Sequence, residues 1–411
     1  MTHTNVTPDV VHSTLSQHML ADGFDIVLDL DKSTGAYLYD AITGKRYLDF
    51  FTFFASNPVG MNHPKMRTDE FMKTLGRVAL HKPSSSDLYT VEMATFVDAF
   101  FRIAVPSHFK YVFLIEGGAM AVENALKTAF DWKVRKNFAK GYDREVGHRV
   151  LHFKQAFHGR SGYTMSLTNT DPAKTDLFPK FDWPRVSNPG ALFPLEGENL
   201  KRTIDAELES IAQIENAIAT YPDDIACMIL EPIQAEGGDN HFRPEFLREL
   251  RRICDQHEIM LIFDEVQTGV GLTGSMWAHQ TLGVVPDIIS FGKKTQVCGG
   301  VIERTVDRIG VPGAGLQAWL GPTIGPRVYE VGVEVRDAFL AHDASAASAF
   351  VATRPGHWLL DLYAVARQRL AGCGIASVSG GTHCTHTEQD LFFSFRRDKA
   401  MQRMAACIWR V

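Results

Sequence analysis

Two adjacent lysines, Lys293 and Lys294, follow the apolar run Asp287–Phe291. A lysine at the mouth of a buried strand loses hydration, which lowers its pKa and favours the neutral amine that attacks carbonyl carbon. Side chains alternate along an extended segment, so only one of the pair is expected to enter a site. A solvated pair is the ordinary alternative. Upstream, Asp264-Glu265-Val266-Gln267-Thr268-Gly269 closes the run Ile259–Phe263. An aspartate there is partly buried and needs a cation or a hydrogen-bond donor. A protonated pyridine nitrogen would serve.

Three further strand-end segments carry weaker signals. Glu116-Gly117-Gly118-Ala119-Met120 follows Tyr111–Ile115 and opens a helical pattern. Small residues at such a turn let backbone N–H groups reach an anion at a helix N-terminus. It is neither a Walker loop nor GxGxxG, and alone it reads as a tight turn. Phe157-His158-Gly159-Arg160 follows Val150–Phe153 and offers a ring for stacking and a guanidinium for a carboxylate. Glu231-Pro232-Ile233-Gln234-Ala235-Glu236-Gly237-Gly238 follows Ala226–Leu230, where acids could equally be caps or solvated loop charges. Each feature has an ordinary structural reading, but the five fall at successive strand ends. An anion cradle, a ring stack, a buried carboxylate and an amine together are what pyridoxal 5'-phosphate requires.

The elements that must position these residues alternate between residues 110 and 300. Short apolar runs are separated by amphipathic stretches such as Val122, Ala125, Leu126, Ala129 and Phe130, spaced i, i+3, i+4, i+7 and i+8. This predicts an α/β domain around a mostly parallel sheet, with ligands beyond the carboxyl ends of its strands. The expected division is a large domain over 71–335 and a smaller α+β domain built from 1–70 and 336–411. Composition shifts near residue 300: residues 1–300 hold 16 Lys and 14 Arg, whereas 301–411 hold one Lys and 11 Arg.

A net charge of −6 without long like-charge runs argues against nucleic-acid binding. No apolar stretch is long enough to span a bilayer, and the N-terminus lacks a signal core. The six cysteines form no CxxC pair or dense framework, so thiols in a reducing cytoplasm are expected and a structural metal is not.

The order and spacing of EGGAMAVENA, FHGR, EPIQAEGG, DEVQTG and GK resemble the class III (omega) aminotransferases of fold type I over about residues 24–330. The longer stretches FTFFASNPVGMNHP, KPSSSDLY, AFHGRSGYTMSLTNT, FPKFDWPR and FGKKTQVCG resemble members that move the ε-amino group of L-lysine to 2-oxoglutarate. The resemblance implies a homodimer with a shared site, and a set of roles. Lys293 would hold the cofactor as a Schiff base and move the substrate proton. Asp264 would keep the ring nitrogen protonated, Gln267 would contact the ring's phenolic oxygen, and Phe157 would stack on the ring. Gly118 and Ala119 would bind phosphate through N–H groups, and Arg160 would hold a substrate carboxylate. Glu236 matches an acid that masks an arginine when the amine enters and frees it for the dicarboxylate. Thr323 stands thirty residues after Lys293, where the family keeps a phosphate-binding threonine of the neighbouring subunit. The family's late arginine has no counterpart, although Asp390–Phe395 reads like a small-domain strand followed by a helix near Asp398–Met404. Rival readings are an ornithine or 4-aminobutyrate aminotransferase, a decarboxylase or mutase on the same fold, and a non-catalytic homologue.

Overall fold

The computed structural model describes residues 6–85, 87–303, 317–320, 323–372, 377–390 and 397. The chain divides into two compact units, Met1–Ile309 and Gly310–Val411.

The first unit is built on a seven-stranded sheet. Its strands are β1 (Phe109–Ile115), β2 (Arg149–Phe153), β3 (Arg185–Val186), β4 (Ile225–Leu230), β5 (Met260–Asp264), β6 (Ile288–Phe291) and β7 (Cys298–Glu303). They lie in the order β1-β7-β6-β5-β4-β2-β3. Pairing is parallel from β6 through β5, β4 and β2 to β3. β7 alone runs antiparallel, to β6 on one side and β1 on the other. The five expected strand runs all form, each within two residues of its expected ends. β7 was not anticipated: Cys298-Gly299-Gly300 interrupts its apolar pattern.

Why the runs become buried strands is visible in their two faces. β4 (IACMIL), β5 (MLIFD) and β6 (IISF) are buried at every position, as expected where helices cover both faces of a parallel sheet. Along β4, Met228 and Leu230 join a layer with Phe246, Leu247 and Leu250 of α3 (Pro244–Gln256). Cys227 and Ile229 join the opposite layer with Val122, Leu126 and Ala129 of α1 (Gly118–Ala139). Each fully buried Leu or Ile contributes roughly 1.5–3 kcal/mol of apolar transfer, which fixes strand register against a one-residue slip. α2 (Gly197–Thr220) adds Ile214 and Ala217 to the α3 side.

Residues 1–70 lie within the first unit rather than forming one unit with 336–411, so the division differs from the expected one. A short hairpin, Tyr37–Tyr39 with Arg46–Leu48, organises this segment. Gln296 Nε2 donates to the Ser56 carbonyl oxygen at 3.0 Å, which ties the segment to the turn after β6.

The second unit holds β8 (Gln317–Leu320) parallel to β12 (Ser377–Gly380). It also holds an antiparallel sheet of β9 (Glu330–Gly332), β11 (His357–Leu360) and β10 (Phe350–Arg354), with β11 central. Helices α4 (Val333–His342) and α5 (Leu362–Gly372) accompany them. Val331, Ala349, Leu360 and Val365 form its core. The expected strand after Asp390 and the helix near Asp398–Met404 lie outside the described residues.

Candidate active site

Strand ends β1, β2, β4, β5 and β6 all point to one rim of the sheet, and close packing shows which of their loops meet. A Cβ on Gly118, at the first turn of α1, would lie 2.8 Å from Val266 Cγ1, and one on Gly292 would lie 3.5 Å from the same atom. The Val266 side chain therefore sits between the start of α1 and the turn carrying Lys293. Gly159 has φ +113°, and a Cβ there would lie 2.4 Å from Ala119 Cβ. The Phe157–Arg160 loop is thereby pressed against the same helix start. Glu123 of α1 completes the attachment by accepting from Ser161 Oγ at 2.7 Å and Tyr163 N at 2.7 Å.

At the centre, Asp264 ends β5 in register with Ser290 of β6. It is buried, and its oxygens accept from His158 Nδ1 at 2.7 Å, Ser290 Oγ at 3.1 Å and Val266 N at 3.2 Å. Burial alone would lower the pKa of His158, but the hydrogen bond and charge of Asp264 outweigh it and raise the value. His158 Nε2 is buried with no partner among the described residues. Glu231, buried at the end of β4, accepts from Phe157 N at 2.9 Å. Burial, together with the Asp264 charge and against that of His158, pushes its pKa up to about 7.

Lys293 begins a tight turn with φ +48°, so the segment is not extended and alternation does not separate the two lysines. Both reach Gln267: Lys293 Nζ donates to its side-chain oxygen at 2.5 Å and Lys294 Nζ to its carbonyl oxygen at 2.5 Å. Burial lowers the Lys293 pKa, opposed by the charges of Asp264, Glu231 and Glu236. Burial and the Lys293 charge take Lys294 down to about 8. The turn thus holds an amine closer to its neutral, nucleophilic form than a solvated lysine.

Glu236 follows β4, and its side chain is about one third exposed. The resemblance implied an arginine opposite it, but the structure places Lys174 there, with Nζ 2.6 Å from Glu236 Oε1. Thr170 Oγ1 donates to the same oxygen at 2.8 Å. Lys174 Nζ lies 6.0 Å from the Phe157 ring centroid. Arg160 is exposed and has no ion-pair partner among the described residues. Thr323 is placed in the second unit, where its N–H donates to the Tyr363 hydroxyl at 2.8 Å and its carbonyl accepts from Thr385 N at 2.9 Å.

These residues fit pyridoxal phosphate. No side chain caps the N-terminus of α1, so its first N–H groups and positive end are available to an anion. A buried carboxylate and a desolvated lysine complete the set. Sequence reasoning did not single out His158, Ser290, Lys174 or Lys294 as site residues. The one signal available was that a buried Asp264 demanded a donor.

Comparison with known proteins sharpens this. Residues 19–310 match the family model described as aminotransferase class-III. The L-lysine-epsilon aminotransferase of Mycobacterium tuberculosis is 56% identical over 304 residues, covering 74% of this chain and 67% of the relative. The enzyme of that name from Streptomyces clavuligerus is 49% identical over 306 residues, covering 74% and 66%. A 4-aminobutyrate aminotransferase from Emericella nidulans is 30% identical over 342 residues, covering 78% and 68%. The structure of lysine aminotransferase from M. tuberculosis in the internal aldimine form superimposes with a TM-score of 0.71 at 54% identity, covering 75% of this chain and 71% of that one. The chain spans about two thirds of the length of these lysine relatives. Residues 291–411 match a different model, described as multi-copper polyphenol oxidoreductase laccase. The two matches overlap across residues 291–310, which include Lys293.

Proposed function

The chain belongs to the class III aminotransferases, and on that premise we propose that it moves the ε-amino group of L-lysine to 2-oxoglutarate. The products would be 2-aminoadipate 6-semialdehyde and L-glutamate. The observation that carries the reaction type is the Lys293–Gln267 contact beside buried Asp264. Support for lysine as the amine comes from relatives of that name, which stand far above the 4-aminobutyrate relative in identity.

Bound pyridoxal phosphate supplies an electron sink for the carbon that bears the transferred amine. Lys293 would attach the cofactor through Nζ and then carry the proton on and off that carbon. Asp264, which accepts hydrogen bonds from His158 and Ser290, would hold the ring nitrogen's proton. Gly118 and Ala119 would bind the phosphate through their N–H groups, Phe157 would stack on the ring, and Gln267 would contact its phenolic oxygen. Arg160, exposed and without an ion-pair partner among the described residues, would hold a substrate carboxylate through two parallel hydrogen bonds. Glu236 would neutralise a neighbouring cation when the amine enters.

A homodimer in the cytoplasm is part of the proposal. Large apolar side chains stand exposed along one stretch of chain, with Phe50 88%, Leu80 81%, Leu88 78% and Tyr89 79% exposed, as a subunit interface would require. Thr323 would serve the phosphate site of the neighbouring subunit, as its spacing after Lys293 implies. No helix among the described residues is long and apolar enough to cross a membrane.

The test is the purified protein reconstituted with cofactor and given L-lysine with and without 2-oxoglutarate. Cofactor absorbance and the cyclic imine product are followed together. Bleaching by lysine alone, with imine accumulating catalytically only when 2-oxoglutarate is present, is the expected result. Faster turnover of ornithine or 4-aminobutyrate would overturn the substrate assignment. One observation favours a second reading, a cofactor-binding protein with impaired turnover: residues 291–411 match a different family model. Bleaching without turnover would select it.

A further inference from the structure

The crossover between β2 and β3 carries Phe157, Arg160, Thr170 and Lys174, and all but Arg160 have a contact that bears on Glu236 or its surroundings. Lys174 is the cation that Glu236 actually holds, at 2.6 Å, with the Thr170 hydroxyl on the same oxygen. Lys174 also lies within 6.0 Å of the Phe157 ring centroid, and the charge of Glu236 reaches Lys293. The pair is therefore partly open to solvent and close enough to Lys293 for the Glu236 charge to act on it.

Several properties suit this pair to exchange partners. Both side chains are about one third exposed, and an ion pair so placed contributes little net stability, so it opens at small cost. An ammonium has three donors, and one described contact uses one of them, which leaves others for an incoming carboxylate. A lysine is a compact charge on a flexible stem, able to follow a carboxylate that moves, whereas a guanidinium fork fixes a planar partner. Phe157 beside it supplies an aromatic face that favours a cation whether or not Glu236 is engaged.

We propose that Lys174 is the residue that binds the second carboxylate of the dicarboxylic keto-acid acceptor, with Glu236 as the gate that covers it while the amine donor is bound. This rests on the aminotransferase reading above. When a cationic amine enters, Glu236 neutralises Lys174 and the site presents no excess positive charge. When the dicarboxylate enters, its distal carboxylate takes the place of Glu236 on the ammonium. Lys174 is thus a specificity residue: it selects a dicarboxylic over a monocarboxylic acceptor.

The holoenzyme and its Lys174→Gln, Lys174→Arg and Glu236→Gln variants test this. 2-Oxoglutarate binding to the cofactor-loaded protein is measured by calorimetry, a readout independent of turnover, and kcat/KM is compared for 2-oxoglutarate and pyruvate. Lys174→Gln is expected to weaken 2-oxoglutarate binding at least tenfold and to lower the 2-oxoglutarate-to-pyruvate ratio of kcat/KM by a similar factor. Lys174→Arg is expected to restore most of the affinity. Glu236→Gln is expected to tighten dicarboxylate binding and raise KM for lysine. If the unaltered protein is bleached by lysine and binds 2-oxoglutarate, yet Lys174→Gln does so within twofold of it, the Lys174 assignment alone falls. If the unaltered protein neither bleaches with lysine nor binds 2-oxoglutarate, the aminotransferase reading falls and the Lys174 assignment with it.

Discussion

Replacing Glu231 with glutamine should make the fold more stable at alkaline pH than at acid pH, relative to the unaltered chain. Glu231 is buried at the end of β4, and its carboxyl pKa is pushed from 4.5 to about 7. The folded chain therefore keeps a proton that the unfolded chain has released across that interval. Its stabilisation is fully present below 4.5 and is lost as pH rises through about 7. The loss amounts to about 1 kcal/mol at pH 5 and about 3 kcal/mol at pH 8. Glutamine removes the titration while its carbonyl oxygen still accepts from Phe157 N, which Glu231 accepts at 2.9 Å. Urea unfolding of both cofactor-loaded proteins at several pH values, followed through a probe in the first unit, measures the difference. Cofactor release contributes equally to both and cancels. A difference in stability that stays flat between pH 5 and 8 would refute the assignment of a protonated Glu231.

Three other outcomes are expected. Lys293→Ala should leave the fold intact, abolish the yellow lysine-bound cofactor and lower kcat by at least about a hundredfold, the low end of what a positioned proton-transfer group contributes; absorbance spectra and steady-state rates check both. Gly118→Ala should weaken cofactor binding about tenfold or more, because its Cβ would stand 2.8 Å from Val266 Cγ1 and displace the loop that presents Gln267; fluorescence titration with pyridoxal phosphate measures it. Glu265→Ala should cost on the order of 3 kcal/mol, since the buried carboxylate accepts from Ala278 N at 2.6 Å and His279 N at 3.0 Å and both donors would be left unsatisfied; chemical denaturation at neutral pH is the check.

Much of the first unit was legible in the sequence because its strands are buried on both faces. Ile225–Leu230 and, Ser290 aside, Ile288–Phe291 must be apolar to sit between two helical layers, and that demand is written in the residues themselves. The polar groups that close those strands are conspicuous for the same reason, so Asp264 stood out, whereas Lys293 was told from Lys294 only by the resemblance. The motifs carried the family as far as about residue 310. Beyond it the reading rests on spacing: Thr323 lies thirty residues after Lys293, in a unit with its own core and a match to a different family model. Spacing along a chain is informative only while the intervening fold is the same.

What the sequence determined by itself, then, is local: which runs are strands, which ends bear charge, and which cofactor that set of end groups suits. The tertiary structure decided the partners. His158 and Asp264 are 106 residues apart and meet at 2.7 Å, and Lys174 and Glu236 are 62 apart and meet at 2.6 Å. The convergence of Lys293 and Lys294 on Gln267 depends on a left-handed turn where an extended strand was expected. Such pairings follow from how crossover loops pack over the sheet rim. A charge's partner is chosen by proximity and desolvation in three dimensions, and residue order alone does not encode that distance.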